Sequence, residues 1–232
     1  MESSGLPRGA VIVAGGSGQR MASGTPKQFL PLGAEGKPVL VHTVERFIDA
    51  LPAGSPIVVV IAESELERWQ HVARQWGVWE RIGMCEGGRT RFESVKKGLQ
   101  LIECHTVAIH DGVRPLVSAE LINRAFELAE RNGAAIPYVR PVDSFRSEDG
   151  RGGTAMCDRD SLVAIQTPQV FGYCSIRKAY DKPYDPRYTD DASVWGGELL
   201  PYMHMCEGER QNIKVTTPLD MVVAAALLEA GY

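Results

Sequence analysis

The feature that most constrains this chain is a β-branched run, residues 11–13, that empties into Ala14-Gly15-Gly16-Ser17-Gly18-Gln19-Arg20-Met21, with Thr25-Pro26-Lys27-Gln28-Phe29 close behind. The apolar run reads as a buried parallel strand. Glycine has no Cβ, so the backbone after it can approach a ligand closely. Successive N–H groups in such a loop can face one anion. Arg20 is suited to fork onto phosphate oxygens, and Lys27 to bring a mobile point charge. The stretch therefore reads as a loop for a nucleoside triphosphate; the plainer alternative is a strand-to-helix turn that merely needs glycine. Two familiar phosphate loops do not fit. The pattern G-x-x-x-x-G-K-[ST] is not met, and G-x-G-x-x-G lacks its third glycine because Met21 stands there.

A chain of 232 residues, 44% hydrophobic, can build one large α/β core, and we expect a single domain over residues 1–232. The net charge is −4, with no runs of Lys or Arg. This argues against a nucleic-acid surface but leaves room for a local phosphate pocket. No apolar run approaches the roughly 20 residues that span a bilayer, and residues 1–9 lack the apolar segment of a signal peptide. The five cysteines are scattered and form no C-x-x-C pair. Zinc and a disulfide framework are disfavoured, and a cytoplasmic location is expected.

Strand and helix signals alternate along the chain. Strands are expected at 10–13, 56–61, 81–85, 106–110, 134–138, 162–166, 202–206 and 213–215. Helices are expected at 39–50, 63–76, after the turn at 86–90, after Ser118, at 174–180, after Thr189 and Asp190, and at 218–230. Residues 14–37 read mostly as loop, and Thr167-Pro168-Gln169 as the end of a strand. Trp69 and Trp76 share one helix face and read as packing residues, with His71 on the surface. The alternation predicts a three-layer α/β sandwich, Rossmann-like, around a mostly parallel sheet. Residues 139–160 are charged and glycine-rich, with little apolar periodicity. They predict a protruding β-arm, which could dock on a partner subunit.

Polar candidates follow strands, where open α/β sheets bind ligands. After 81–85 comes Glu86-Gly87-Gly88-Arg89-Thr90-Arg91-Phe92-Glu93-Ser94. Ser94 falls on the first turns of a helix, beside its positive end, and Arg91 can reach back to the loop or lie on the surface. Asp111 ends the strand at 106–110 and is a candidate Mg²⁺ ligand, since that ion takes few carboxylates plus phosphate oxygens. A turn-capping role before Gly112 is the alternative. His110 is either a second ligand or a packed residue.

These motifs resemble the nucleotidyltransferase signature of the sugar-phosphate cytidylyltransferases. The resemblance covers nearly the whole chain. It takes in the first loop with Pro26-Lys27-Gln28-Phe29, Gly87-Gly88 with Arg91 and Ser94, and His110-Asp111-Gly112-Val113-Arg114-Pro115. It continues through Asp143-Ser144, Asp158-Arg159, Gln166-Thr167-Pro168-Gln169, Thr189-Asp190-Asp191-Ala192-Ser193 and Asn212-Ile213-Lys214-Val215-Thr216. The methylerythritol phosphate branch is most similar; the ribitol phosphate branch shares most of these motifs and is the competing reading. The resemblance implies that Arg20, Lys27 and Lys214 bind CTP phosphates and stabilise the transition state, while Asp111 holds Mg²⁺. It implies a nucleotide site of Ala14, Gly15, Gly16, Gly18, Gly88, Arg91, Ser94 and Asp111. Arg114, Thr167 and Thr189 would line the acceptor pocket. Ser144 and Arg159, on an arm exchanged in a homodimer, would touch the partner's substrate. Ser144 stands where the family commonly has threonine, a loss of one methyl.

Two other classes compete. A dinucleotide-dependent oxidoreductase needs the missing glycine and an acidic ribose ligand, for which Glu63 lies too far along the chain. A non-catalytic nucleotide-binding subunit would not need Arg20, Lys27, Asp111 and Lys214 together.

Overall fold

In the computed structural model, which describes residues 7–15, 25–196 and 203–232, the first apolar run lies within β1 (Arg8–Ala14). Gly16, Gly18, Arg20 and Tyr202 lie outside the described residues. After β1 come β2 (Pro31–Leu32), β3 (Lys37–Pro38), α1 (Val39–Ala50), β4 (Ile57–Ile61), α2 (Leu66–Gln75), β5 (Gly83–Glu86), α3 (Arg91–Gln100), β6 (Thr106–Asp111) and α4 (Ala119–Asn132). The second half adds β7 (Ala134–Val139), β8 (Arg146–Glu148), β9 (Thr154–Met156), β10 (Ala164–Ile165), β11 (Gln169–Gly172), α5 (Tyr173–Ala179), α6 (Asp191–Gly196), β12 (Met205–Glu207) and α7 (Pro218–Glu229).

β1 is apolar on both faces because neither face nor edge meets water. It pairs in parallel with β4, Ala10 opposite Ile57, and with β6, Ala10 opposite Ala108. Alternate side chains enter opposite cores, as the two-residue period of a strand requires. Ala10, Ile12 and Ala14 join Phe47 of α1, Trp69 of α2 and Phe126 of α4. Val11 joins Leu99 of α3 and Ile176 of α5 on the other side. Each fully buried Val, Ile or Phe contributes about 1.5–3 kcal/mol. The outcome is the expected three-layer sandwich, with the sheet ordered β10-β7-β11-β6-β1-β4-β5 and β12 beside β7.

The sheet departs from the sequence reading at its centre. β11 runs antiparallel between β6 and β7; of its residues only Gln169 is read from sequence, as the end of a strand. Its apolar content is only Val170 and Phe171 between Gln169 and Gly172, too short to show a period. Residues 213–215 form no strand among the described residues; a single ladder-like bond from Val215 N to Val113 O, 2.9 Å, fixes this extended segment. Smaller shifts are a 3-10 turn at Glu63–Glu65 ahead of α2, and a small hairpin of β2 and β3 within the stretch read as loop. The arm is a separate ribbon of β8 and β9, exposed along both strands. His71 is exposed and Trp69 fully buried, as expected.

α3 lies unusually close to the sheet. A Cβ on Gly98 would meet Val11 Cγ1 at 2.6 Å and Val60 Cγ2 at 2.8 Å. Alanine normally gains about 1 kcal/mol over glycine inside a helix, but a methyl forced into a filled core typically costs about 1–3 kcal/mol. Gly98→Ala is therefore expected to lower the free energy of unfolding in urea, reversing the propensity trend. An unchanged or raised midpoint would show that the α3–sheet spacing relaxes freely.

Candidate active site

Strand ends at the carboxyl edge of the sheet build the site. β1 ends at Ala14 and Gly15, β5 leads to Gly87 and Gly88, and β6 ends at Asp111. The first two loops nearly touch: a Cβ on Gly87 would stand 3.0 Å from Ser94 Oγ, and one on Gly15 3.4 Å from it. Glycine is needed here for close approach rather than for a turn. Thr90 caps α3 by accepting from Glu93 N at 3.1 Å. One turn on, Ser94 Oγ accepts from Gly88 N at 3.0 Å and donates to Thr90 O at 2.9 Å. Ser94, placed on the first turn as expected, thus shapes the loop that presents Gly88. Lys97 Nζ fixes the same loop through Gly87 O at 3.0 Å and Glu86 Oε1 at 2.6 Å.

Asp111 is the hub. Its Oδ2 meets Lys214 Nζ at 2.9 Å and Arg114 Nε at 3.3 Å, and its Oδ1 faces Arg91 Nε at 3.5 Å. Burial alone would raise its pKa, but Arg91, Lys214 and Arg114 outweigh burial and hold the carboxyl well below the usual range. It is ionised at any working pH. Asp111 N donates to Thr167 Oγ1 at 3.1 Å.

Behind Asp111 lies fully buried His110, a packed residue. Its Nε2 is 3.2 Å from Arg114 O, and its Nδ1 is 3.0 Å from Thr167 Oγ1. A carbonyl can only accept, so Nε2 carries the proton and the Thr167 hydroxyl donates to Nδ1. Thr167 therefore has no hydroxyl proton to offer a ligand. Burial pushes His110 down to about 3, which fixes it neutral.

Two hollows adjoin at this hub. One, of about 350 Å³, includes Ala14, Gly15, Lys27, Gly88, Ser94 and Asp111 in its lining. The other, of about 290 Å³, includes Arg114, Gln166, Thr167, Thr189 and Asp190. Arg91, Asp111 and Lys214 line both and form the wall between them. Among the described lining residues, the cations Lys27, Arg89, Arg91, Arg114 and Lys214 outnumber the carboxylates Asp111 and Asp190. A chain with net charge −4 thus concentrates positive charge where two anions would meet. Asp111 is the one carboxylate among the described residues of the larger hollow, and no group of three or more His, Cys, Asp or Glu among the described residues is placed to cage a metal. This donor set fits Mg²⁺, which takes one carboxylate and completes its shell with phosphate and water oxygens.

The expected residues do not all converge. Lys27, Lys214, Ala14, Gly15, Gly88, Arg91, Ser94, Asp111, Arg114, Thr167 and Thr189 line the two hollows. Arg114 is partly committed inward, donating to Asn212 O at 2.8 Å. Ser144 and Arg159 line a separate hollow on the arm, where Arg159 Nη1 donates to Val142 O at 3.1 Å. Several supporting residues escape sequence reasoning. Buried Gln28 donates to Ala14 O at 3.0 Å and ties the Lys27 turn to β1. Buried Asn212 donates to Thr167 O at 2.9 Å and anchors the segment carrying Lys214. Asp191, fully buried, accepts from both Arg91 Nη atoms at 2.7 Å. The adjacent pair Asp190-Asp191 is visible in sequence, but only one of them is a helix cap: Asp190 Oδ1 accepts from Ser193 N at 2.9 Å.

Residues 9–230 match the family described as 2-C-methyl-D-erythritol 4-phosphate cytidylyltransferase. A protein of that name from Bacteroides thetaiotaomicron is 42% identical over 226 residues, covering 96% of this chain and 100% of the relative. One from Porphyromonas gingivalis is 43% identical over 222 residues, 95% of this chain and 97% of the relative. Among solved structures, the 4-diphosphocytidyl-2C-methyl-D-erythritol synthase of Anaerococcus prevotii superposes with a TM-score of 0.80 at 26% identity, covering 96% of each chain. The 2-C-methyl-D-erythritol 4-phosphate cytidylyltransferase of Thermus thermophilus gives 0.75 at 28% identity, covering 96% of this chain and 99% of that one.

Buried His110 gives the site a measurable pH signature. The unfolded chain protonates this histidine below about 6.5, whereas the folded chain keeps it neutral down to about 3. Its contribution to stability is complete above pH 6.5 and is lost as pH falls toward 3, at up to about 1.4 kcal/mol per pH unit. His42, also lowered by burial, adds to the same window, while carboxylates with lowered values act only below about pH 4. The stability of the wild type should therefore fall more steeply than that of His110→Gln between about pH 6.5 and 4.5. Equal slopes would mean that His110 is protonated in the folded state.

Proposed function

The chain belongs to the family of 2-C-methyl-D-erythritol 4-phosphate cytidylyltransferases, and on that premise we propose that it condenses CTP with 2-C-methyl-D-erythritol 4-phosphate. The products are the CDP-polyol and pyrophosphate, in the non-mevalonate route to isoprenoids. The observation that carries the reading is the wall of Arg91, Asp111 and Lys214 shared by two hollows of suitable chemistry. CTP takes the hollow framed by Ala14, Gly15, Gly88 and Ser94. Arg20, Lys27 and Lys214 are assigned to its phosphates, and Gly16 and Gly18 to the nucleotide site, on the family resemblance. The acceptor phosphate takes the hollow of Arg114, Thr167 and Thr189.

A phosphate monoester oxygen of the acceptor attacks the α-phosphorus of CTP in line. The new P–O bond forms as the bond to the oxygen bridging to the β-phosphorus breaks, and pyrophosphate carries the electron pair away. No side-chain nucleophile is required. The obstacle is mutual repulsion of two polyanions, so fixed cations and positioning carry the catalysis. Asp111 would hold Mg²⁺, which when bound neutralises phosphate charge. Lys27 and Lys214 add point charges beside the leaving pyrophosphate. A location in the cytoplasm is supported by five free cysteines.

The deciding assay is pyrophosphate release with CTP and each polyol phosphate in turn. Release with 2-C-methyl-D-erythritol 4-phosphate, abolished by chelator, is expected; preference for ribitol 5-phosphate would reassign the acceptor. Lys27→Ala and Lys214→Ala should each lower kcat by about a hundredfold or more with little change in thermal midpoint. Near-normal turnover in both would remove the phosphate cradle.

The arm supports a homodimer. Its strands are exposed, and Ser144 and Arg159 line a hollow apart from the crevice. An arm exchanged across a two-fold axis would bring them to a neighbour's acceptor site, where Arg159 could fork onto phosphate. Mixing Arg159→Ala chains with Lys27→Ala chains should restore activity above either parent, because some dimers then hold one intact site. A fully active monomer by light scattering would defeat the exchange.

A further inference from the structure

Arg91 is the one guanidinium, among the described residues, common to both hollows. It is gripped from behind. Its Nη1 and Nη2 donate to Asp191 Oδ1 and Oδ2 at 2.7 Å each, which leaves its Nε edge toward Asp111 Oδ1 at 3.5 Å. Asp191 sits at the start of α6 with no exposed surface, and Tyr180, at the end of α5, donates its hydroxyl to Asp191 Oδ1 at 2.6 Å. The residues on either side of Asp191 are pinned by one side chain of β11. Gln169 Nε2 donates to Asp190 Oδ2 at 3.0 Å, and Gln169 Oε1 accepts from Ala192 N at 2.8 Å. Three elements thus cooperate to hold a single carboxylate behind a single guanidinium.

Stability alone is a weak reason for such an arrangement. Taking a carboxylate out of water costs several kcal/mol, and a well-packed apolar substitute often serves a fold as well. A bidentate pair, however, fixes the plane and direction of a guanidinium as no apolar contact can. We propose that Asp191 and Tyr180 are positioning residues that orient Arg91, so that its Nε edge stands beside Asp111 in the wall where the α-phosphate of CTP and the acceptor phosphate meet. This rests on the cytidylyltransferase reading above. Arg91 is the group that touches substrate; Asp191 and Tyr180 act through it.

A double-mutant cycle in kcat tests this, with the assay run at saturating CTP and acceptor. Asp191→Asn keeps the shape but sets an amide N–H₂ against the guanidinium. Alone it should lower kcat by about a hundredfold, the scale of a misplaced catalytic group, with the KM for CTP nearly unchanged. In an Arg91→Gln background the same change should lower kcat less than about twofold, because a residue that acts through Arg91 has nothing left to position. A merely structural role would add its full loss in both backgrounds, and that additive result would overturn the proposal. If Asp191→Asn does not fold, Tyr180→Phe runs the same cycle: a loss confined to the Arg91 background supports the proposal, and equal losses refute it. Wild-type chains that release no pyrophosphate with any polyol phosphate would instead refute the enzymatic reading itself.

Discussion

The site depends on one buried negative charge. Asp111 ends a central strand, and three cations close on it: Arg91 from α3 and Lys214 from the segment before α7, both distant along the chain, and Arg114 from the following turn. Without it those cations would repel one another in a partly dry crevice and would splay toward water. With it they stand 2.9–3.5 Å from one carboxylate before any ligand arrives. The arrangement is preorganised for anions, since the charges needed to meet phosphate are assembled during folding rather than during catalysis.

The path of the backbone explains why those cations can meet. α3 sits low on the sheet because Gly98 has no side chain to lift it off Val11 and Val60. That depth carries Arg91 and Ser94 to the ends of β1 and β6. On the other flank, Asn212 is buried and bonded to Thr167 O, and Val215 is bonded to Val113 O. Lys214 is therefore held at both sides of a segment that belongs to no sheet.

The parts of the fold legible in sequence are those with a period. The unbroken apolar runs within β1, β4 and β6, and α1 and α4 with their apolar faces, announce a layered sandwich. β11 was not legible, because four residues with two apolar ones carry no period and antiparallel insertion is decided by partners far along the chain. In the site, residues whose chemistry is overt, such as Lys27 and Asp111, stand out from their setting after strands and glycine turns. Gln28, Gln169, Asn212 and Asp191 do not, because their roles come from burial among polar partners and neither composition nor spacing records burial. The family resemblance recovers Lys214, which the bare sequence leaves as one lysine among many.

β1 lies near the start of the chain and yet at the middle of the sheet, and this bears on the order in which the molecule assembles. Its two partners arrive late in synthesis: Ala10 pairs with Ile57 on one edge and with Ala108 on the other. The second closure spans about twice as much chain, which adds only about 0.6 kcal/mol of loop entropy. Until it forms, however, β1 leaves one row of N–H and C=O groups unpaired and open to any neighbour. A nascent chain thus still carries an open β1 edge after β4 emerges and before β6 does. Slow translation across the intervening stretch, or a shortage of chaperones that shield extended segments, would lower the yield of folded protein without any change in the stability of the finished sheet.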